Sequence, residues 1–160
     1  MAQGADKPVI GVDVGGTKVL AGVVDRDYKV LATAKRPTKG ENGVEAVVER
    51  IAKTVRDAVR EAGMDFSDIA GVCSAAPGAL NPEDGIVRLA PNIEGWEDVP
   101  FAKVLSDQLS GVPVFIENDA NLGSLGELTL GAAQGVKNMV GIFVGTGIGG
   151  GIVLDGKIWR

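Results

Sequence analysis

Asp13 closes a short apolar run and is followed by Val14-Gly15-Gly16-Thr17-Lys18. A strand-end carboxylate ahead of two glycines and a hydroxyl makes a turn whose amides can face phosphate oxygens, with Asp13 able to hold Mg2+ directly or through water. The same residues also suit an ordinary glycine hairpin with Asp13 as a local cap, and the GxxxxGK[ST] spacing of a Walker loop is absent. A second glycine cluster, Gly145-Thr146-Gly147-Ile148-Gly149-Gly150-Gly151, lies between two apolar segments. So many glycines lower backbone order, and a phosphate cradle explains that cost better than a hairpin alone. The cluster contains GxGxxG, but a β-rich segment follows it where a dinucleotide fold opens a helix. Between the two, Glu117-Asn118-Asp119-Ala120-Asn121 stands at a strand-to-helix junction. Asp119 can accept a proton from an attacking hydroxyl and Asn118 can donate to and accept from hydroxyls; Asn and Asp before a helix are also good N-caps.

The elements that must position these residues follow from periodicity. Val9 to Val14, Val19 to Val24 and Lys29 to Lys35 read as three strands in an antiparallel meander. From Val44 to Ala62 the period becomes helical, with Val44, Val47, Val48, Ile51, Val55, Ala58, Val59 and Ala62 on one face and Gly63 at the expected stop. A strand over Ile69–Ser74, a turn-rich stretch at Asn81–Gly85, and a short helix carrying Phe101, Val104, Leu105 and Leu109 follow. Then come a strand over Val112–Ile116, a helix with Leu122, Leu125 and Leu128, a strand over Asn138–Val144, the glycine run, and Ile152–Leu154 before a turn at Asp155-Gly156. The order βββαβαβα followed by a hairpin is that of an α/β, RNase H-like lobe leading into a second lobe. The expected division is residues 1–120 for the first lobe and 121–160 for the start of the second, nucleotide-binding one.

Composition narrows the chemistry. The 160 residues have a 45% hydrophobic fraction and 23% charge, as a folded domain does. A net charge of −5 offers no basic stripe for nucleic acid. There is one cysteine and no histidine, which excludes Ser/His and Cys/His nucleophile systems and leaves carboxylates for acid–base work. Cys73 reads as a small strand residue more readily than as a reactive thiol. The first residues lack the pattern of a signal peptide and no apolar run is long enough for a membrane span, so the default expectation is a cytoplasmic protein with no membrane partner.

In this order, the three segments resemble the signature set of the ROK (repressor, open reading frame, kinase) family of the hexokinase/actin superfamily. Two further segments fit: Ala76-Pro77-Gly78 resembles the family's APG sugar loop and Pro91-Asn92-Ile93-Glu94-Gly95-Trp96 its N-x-x-G-W stretch. The resemblance runs from about Val9 to Arg160. It implies an ATP-dependent sugar kinase, glucokinase-like or N-acetylmannosamine-kinase-like, acting on a hexose or amino-hexose. Asp119 would be the general base. Gly78, Asn92 and Asn118 would orient the sugar. Gly15, Gly16, Thr17 and Lys18, with Gly145, Thr146, Gly147 and Gly149, would hold the ATP phosphates, and Asp13 would lie near Mg2+.

Cys73, Ala75 and Ala79 depart from the family's usual small residues and proline around APG, which bears on sugar preference. Members of the family are about twice this long, so the chain resembles an N-terminal half that lacks the downstream sugar-contacting motif and zinc site. Two other expectations are weighed. A ROK repressor would carry an N-terminal helix-turn-helix, whereas here the first strand is reached by Val9. A non-catalytic, self-associating piece would pair its uncovered apolar surface as a homo-oligomer.

Overall fold

The first strand, β1 (Val9–Val14), alternates strictly between exposed and buried positions, with Ile10, Val12 and Val14 inward and Asp13 outward. Period-2 alternation of this kind fixes which face of the sheet meets the core. β2 (Lys18–Val24) and β3 (Val30–Pro37) complete the antiparallel meander, and β4 (Gly71–Ala76) adds parallel to β1. With β8 (Val114–Asn118) the five-stranded sheet has the order β3-β2-β1-β4-β8. In this computed structural model the described residues are 7–91, 93–145 and 147–160. They fall into two compact units, Met1–Glu117 and Asn118–Arg160.

In the first unit α1 (Gly43–Glu61) packs across β1, β2 and β3. The periodicity picks out the buried Val47, Val48, Ile51, Val55, Ala58 and Val59, while Val44 and Ala62 at the two ends are half-buried and Ala52 and Thr54 are buried besides. Each large apolar residue contributes about 1.5–3 kcal/mol by leaving water. Gly63 at φ +68° ends the helix, where its amide donates to Arg60 and that of Met64 to Val59. α2 (Phe101–Gln108) lies beside α1 and buries Phe101 and Leu105, with the Trp96 ring 4.9 Å from that of Phe101.

Several expected boundaries move. β8 begins at Val114 instead of Val112, because Pro113 has no N–H to give a ladder. The turn at Asn81–Gly85 joins two strands the sequence did not signal: β5 (Ala79–Asn81) and β6 (Ile86–Leu89) form a three-stranded sheet with β7 (Glu97–Val99).

The second unit is one helix on one sheet. α3 (Asp119–Thr129) packs on β9 (Met139–Val144) and β10 (Ile148–Leu154), and β11 (Lys157–Trp159) completes the order β11-β10-β9. β10 therefore starts at Ile148, within the expected glycine loop, and Gly149, Gly150 and Gly151 pair with Phe143, Ile142 and Gly141.

Candidate active site

β1 ends in a tight reversal. The Gly15 amide donates to the Lys18 carbonyl at 3.0 Å, and Val14 and Val19 are the last paired residues. Thr38, fully buried just past β3, ties this turn down twice: its amide donates to Thr17 O at 2.9 Å and its hydroxyl to Gly15 O at 2.6 Å. With two of the turn's carbonyls bound to Thr38, the loop has a fixed shape in which amides can be presented to an anion. Lys18 opens β2 opposite Pro37 and is exposed.

Asp13 points to the face of the sheet away from α1. Because β1 and β4 are parallel with Asp13 opposite Ala75, the Asp13–Lys18 turn and the Ala75–Gly78 loop leave the same edge of the sheet side by side. Open parallel sheets bind ligands at the carboxyl ends of their strands. Gly78 has φ +89°, and an added Cβ would overlap the Leu89 carbonyl, so the backbone alone requires glycine there. Asn92 lies outside the described residues. On the same open face Cys73 pairs with Gly11. Burial, with the negative charge of Glu117 as a lesser cause, pushes the Cys73 thiol up, which disfavours a reactive thiolate.

In the second unit Asn118 is the N-cap of α3: its Oδ1 accepts from the amides of Ala120 at 3.0 Å and Asn121 at 3.3 Å. Asp119 is the first helical residue. It is exposed, and its Oδ1 accepts the Ala120 amide at 2.9 Å. The positive end of the helix dipole favours a carboxylate in this position.

The turn between β9 and β10 is shorter than its glycine run. Gly145 and Gly147 lie between β9 and β10, joined by a 2.9 Å hydrogen bond from the Gly145 amide to the Gly147 carbonyl. A Cβ on either would meet nothing within 4 Å, so packing does not explain them. Thr146 lies outside the described residues. Gly149 belongs to β10, and a Cβ there would come within 3.2 Å of the Ala120 Cβ. Gly151 is tighter still. Two of the run's five glycines, Gly149 and Gly151, therefore serve helix packing.

Sequence reasoning missed Thr38 and Ser124. Neither belongs to a motif, and only the fold shows what their hydroxyls reach. Among the described residues no three acidic, cysteine or histidine side chains gather as a metal cage. A single carboxylate at Asp13 suits an Mg2+ ion that keeps several waters and is held mainly by phosphate oxygens.

Residues 9–160 match the ROK family. The chain is 42% identical over 150 residues to the glucokinase of Thermotoga maritima, covering 94% of this chain and 45% of that protein. It superposes on the ROK hexokinase of Thermus thermophilus with a TM-score of 0.84 at 42% identity, over 96% of this chain and 49% of that one. For a ROK glucokinase of Streptomyces griseus, solved in complex with glucose and AMPPNP, the TM-score is 0.85 at 38% identity, over 96% of this chain and 46% of that one. The chain thus spans about half the length of the relatives it matches.

Proposed function

The chain belongs to the ROK family, and from that premise we propose that it carries the general base and both phosphate turns of an ATP-dependent hexose kinase. The observation that supports this best is the second unit's arrangement: an exposed carboxylate, Asp119, in the first turn of a helix packed on the hairpin that ends in Gly145–Gly147. The glucose and AMPPNP bound by the Streptomyces griseus relative support glucose and ATP as the first substrates to try.

In this reading a sugar hydroxyl attacks the γ-phosphorus of ATP, the bond from that phosphorus to the bridging oxygen of ADP breaks, and Asp119 takes the hydroxyl proton. Phosphoryl transfer depends chiefly on positioning and charge stabilisation, which the chain's own residues supply. Amides of Gly15, Gly16, Thr17 and Lys18 and of Gly145, Thr146 and Gly147 hold phosphate oxygens, and Gly149 acts from beneath the second turn. Gly78, Asn92 and Asn118 orient the sugar. Asp13 would hold Mg2+, directly or through water, and the ion would supply neutralisation of phosphate charge. In this reading the first unit, Met1–Glu117, is the first lobe and Asn118–Arg160 begins the second. The use of ATP and the lone Cys73 support a cytoplasmic setting; among the described residues no helix is long and apolar enough to cross a membrane.

The test is ADP release with a panel of hexoses and 2-amino- or 2-acetamido-hexoses. Asp119→Asn should lower kcat by about 10²–10⁴-fold. Undiminished turnover in that variant sinks the assignment of the base.

A second reading is self-association. β9 and β10 turn Val140, Ile142, Val144 and Ile148 to solvent on the face away from α3, with Val144 79% and Ile148 80% exposed. A second copy of the chain offers the same apolar face in return.

A further inference from the structure

Ser124 is a polar side chain with no solvent exposure, on the face of α3 that meets the hairpin. Its hydroxyl donates to the Ala120 carbonyl at 2.8 Å and lies 3.4 Å from the Gly151 carbonyl on β10. Gly151 and Gly141 form a registered pair beneath it. A Cβ on Gly151 would come within 2.5 Å of the Ser124 Oγ and 2.8 Å of the Ala120 carbonyl, and one on Gly141 would overlap that same Oγ. One helical turn earlier, Ala120 sits over Gly149, whose registered partner is Phe143.

The two periods match. Four helix residues rise about 6 Å and two strand residues advance about 6.8 Å, so each turn of α3 meets the next registered pair of the hairpin. Ser124 lies over Gly141/Gly151 and Ala120 over Phe143/Gly149. The next step along the hairpin is Gly145/Gly147, toward which the Asn118–Asp119 end of the helix is directed.

We infer that Ser124, seated on the Gly141–Gly151 pair, is a positioning residue that locks the α3 N-terminus, and Asp119 with it, in register with the Gly145–Gly147 turn. This rests on the kinase reading above for its catalytic meaning, and on packing alone for the lock. Asp119 and the phosphate turn then move as one body. A displacement of about 1 Å between a base and its reacting phosphate costs on the order of 10²-fold in rate.

The test is a mutant cycle on the 160-residue chain. Gly141→Ala puts a methyl against the Ser124 hydroxyl; Ser124→Ala removes that overlap and leaves 3.1 Å to the Cβ of residue 124 and 3.2 Å to the Phe143 ring. Gly151→Ala also meets the α3 backbone at Ala120 and Asn121, so Ser124→Ala cannot relieve it. In ¹⁵N–¹H spectra Gly141→Ala should shift the amides of Asp119–Asn121 together with those of Gly145 and Gly147, and adding Ser124→Ala should return both groups. In Gly151→Ala they should stay displaced with or without Ser124→Ala. If Gly141→Ala does not fold, the double variant carries the test, and displaced Asp119 and Gly145 amides in it overturn the lock. Unmoved α3 amides in a folded Gly141→Ala also overturn it.

The kinetic arm uses glucose and ATP. Gly141→Ala should lower kcat about 10–100-fold with sugar KM within about twofold, and Ser124→Ala should restore most of kcat. A parallel loss in KM, or no restoration, overturns the positioning role. The 160-residue chain spans about half the length of its relatives, so turnover is not required of it; where there is none, the spectra decide the lock.

Discussion

Thr38 holds the Gly15–Lys18 turn through one backbone and one side-chain hydrogen bond, and no motif includes it. Thr38→Val keeps the shape of the side chain but leaves the Gly15 carbonyl without its buried partner, at a cost of about 1–3 kcal/mol. Thr38→Ser keeps the hydroxyl. A urea midpoint lowered in the first variant and close to wild type in the second is the expected outcome. The residues that carry chemical groups, Asp13, Asn118 and Asp119, were legible in the sequence because a carboxylate or amide at a strand end stands out. Those that hold them, Thr38 and Ser124, were not, because a hydroxyl's role depends on which backbone the fold brings to it. Gly149 and Gly151 show the same limit: the sequence displayed their crowding but not that a helix lies over them.

Among the elements, α1 is fixed to β3 by an ion pair as well as by its apolar face. The Asp57 carboxylate is hydrogen-bonded by the Arg36 guanidinium and also meets Arg60 at 2.7 Å. The hydrogen bond from Arg36 holds Asp57 below the usual carboxylate range, against the opposing effect of burial. A carboxyl lowered in the folded state stabilises it above the unfolded value, about pH 4, and this contribution disappears as pH falls through the lowered value. The Arg36 side chain is 41% exposed, so solvent screens the pair and its worth is about 1 kcal/mol. Asp57→Asn should therefore be less stable than wild type at pH 7, with the difference shrinking as pH falls below about 4; a difference unchanged by pH would contradict this. The meander and α1 were legible because six or more residues of period 2 or 3.6 set their faces. β5, β6 and β7 were not, since three or four residues are too few for alternation to show. Pro113 moved the start of β8, and α3 turned its small residues Ala120 and Ser124 inward while Leu125 stayed exposed.

Over the whole molecule, the order β3-β2-β1-β4-β8 followed by a second helix-and-sheet unit is the RNase H-like arrangement of the actin/hexokinase superfamily. The second sheet leaves Val140, Ile142, Val144, Ile148 and Trp159 exposed. Contiguous apolar patches beyond a few hundred Å2 are rare on monomers. At tens of micromolar the chain should scatter light as a dimer or larger, and Ile142→Lys should shift it toward monomer; a monomeric wild type would refute self-association.

In the proposed kinase the two glycine turns hold nucleotide phosphates and the Asn118–Asp119 helix start meets the sugar. Titration of the ¹⁵N-labelled chain with Mg-AMPPNP and then glucose tests it without requiring turnover. The predicted result is movement of the Gly15–Lys18 and Gly145–Gly147 amides with nucleotide, followed by movement of the Gly78, Asn118 and Asp119 amides with glucose. Nucleotide that leaves both turns unmoved, or glucose that moves none of these three residues, would contradict it.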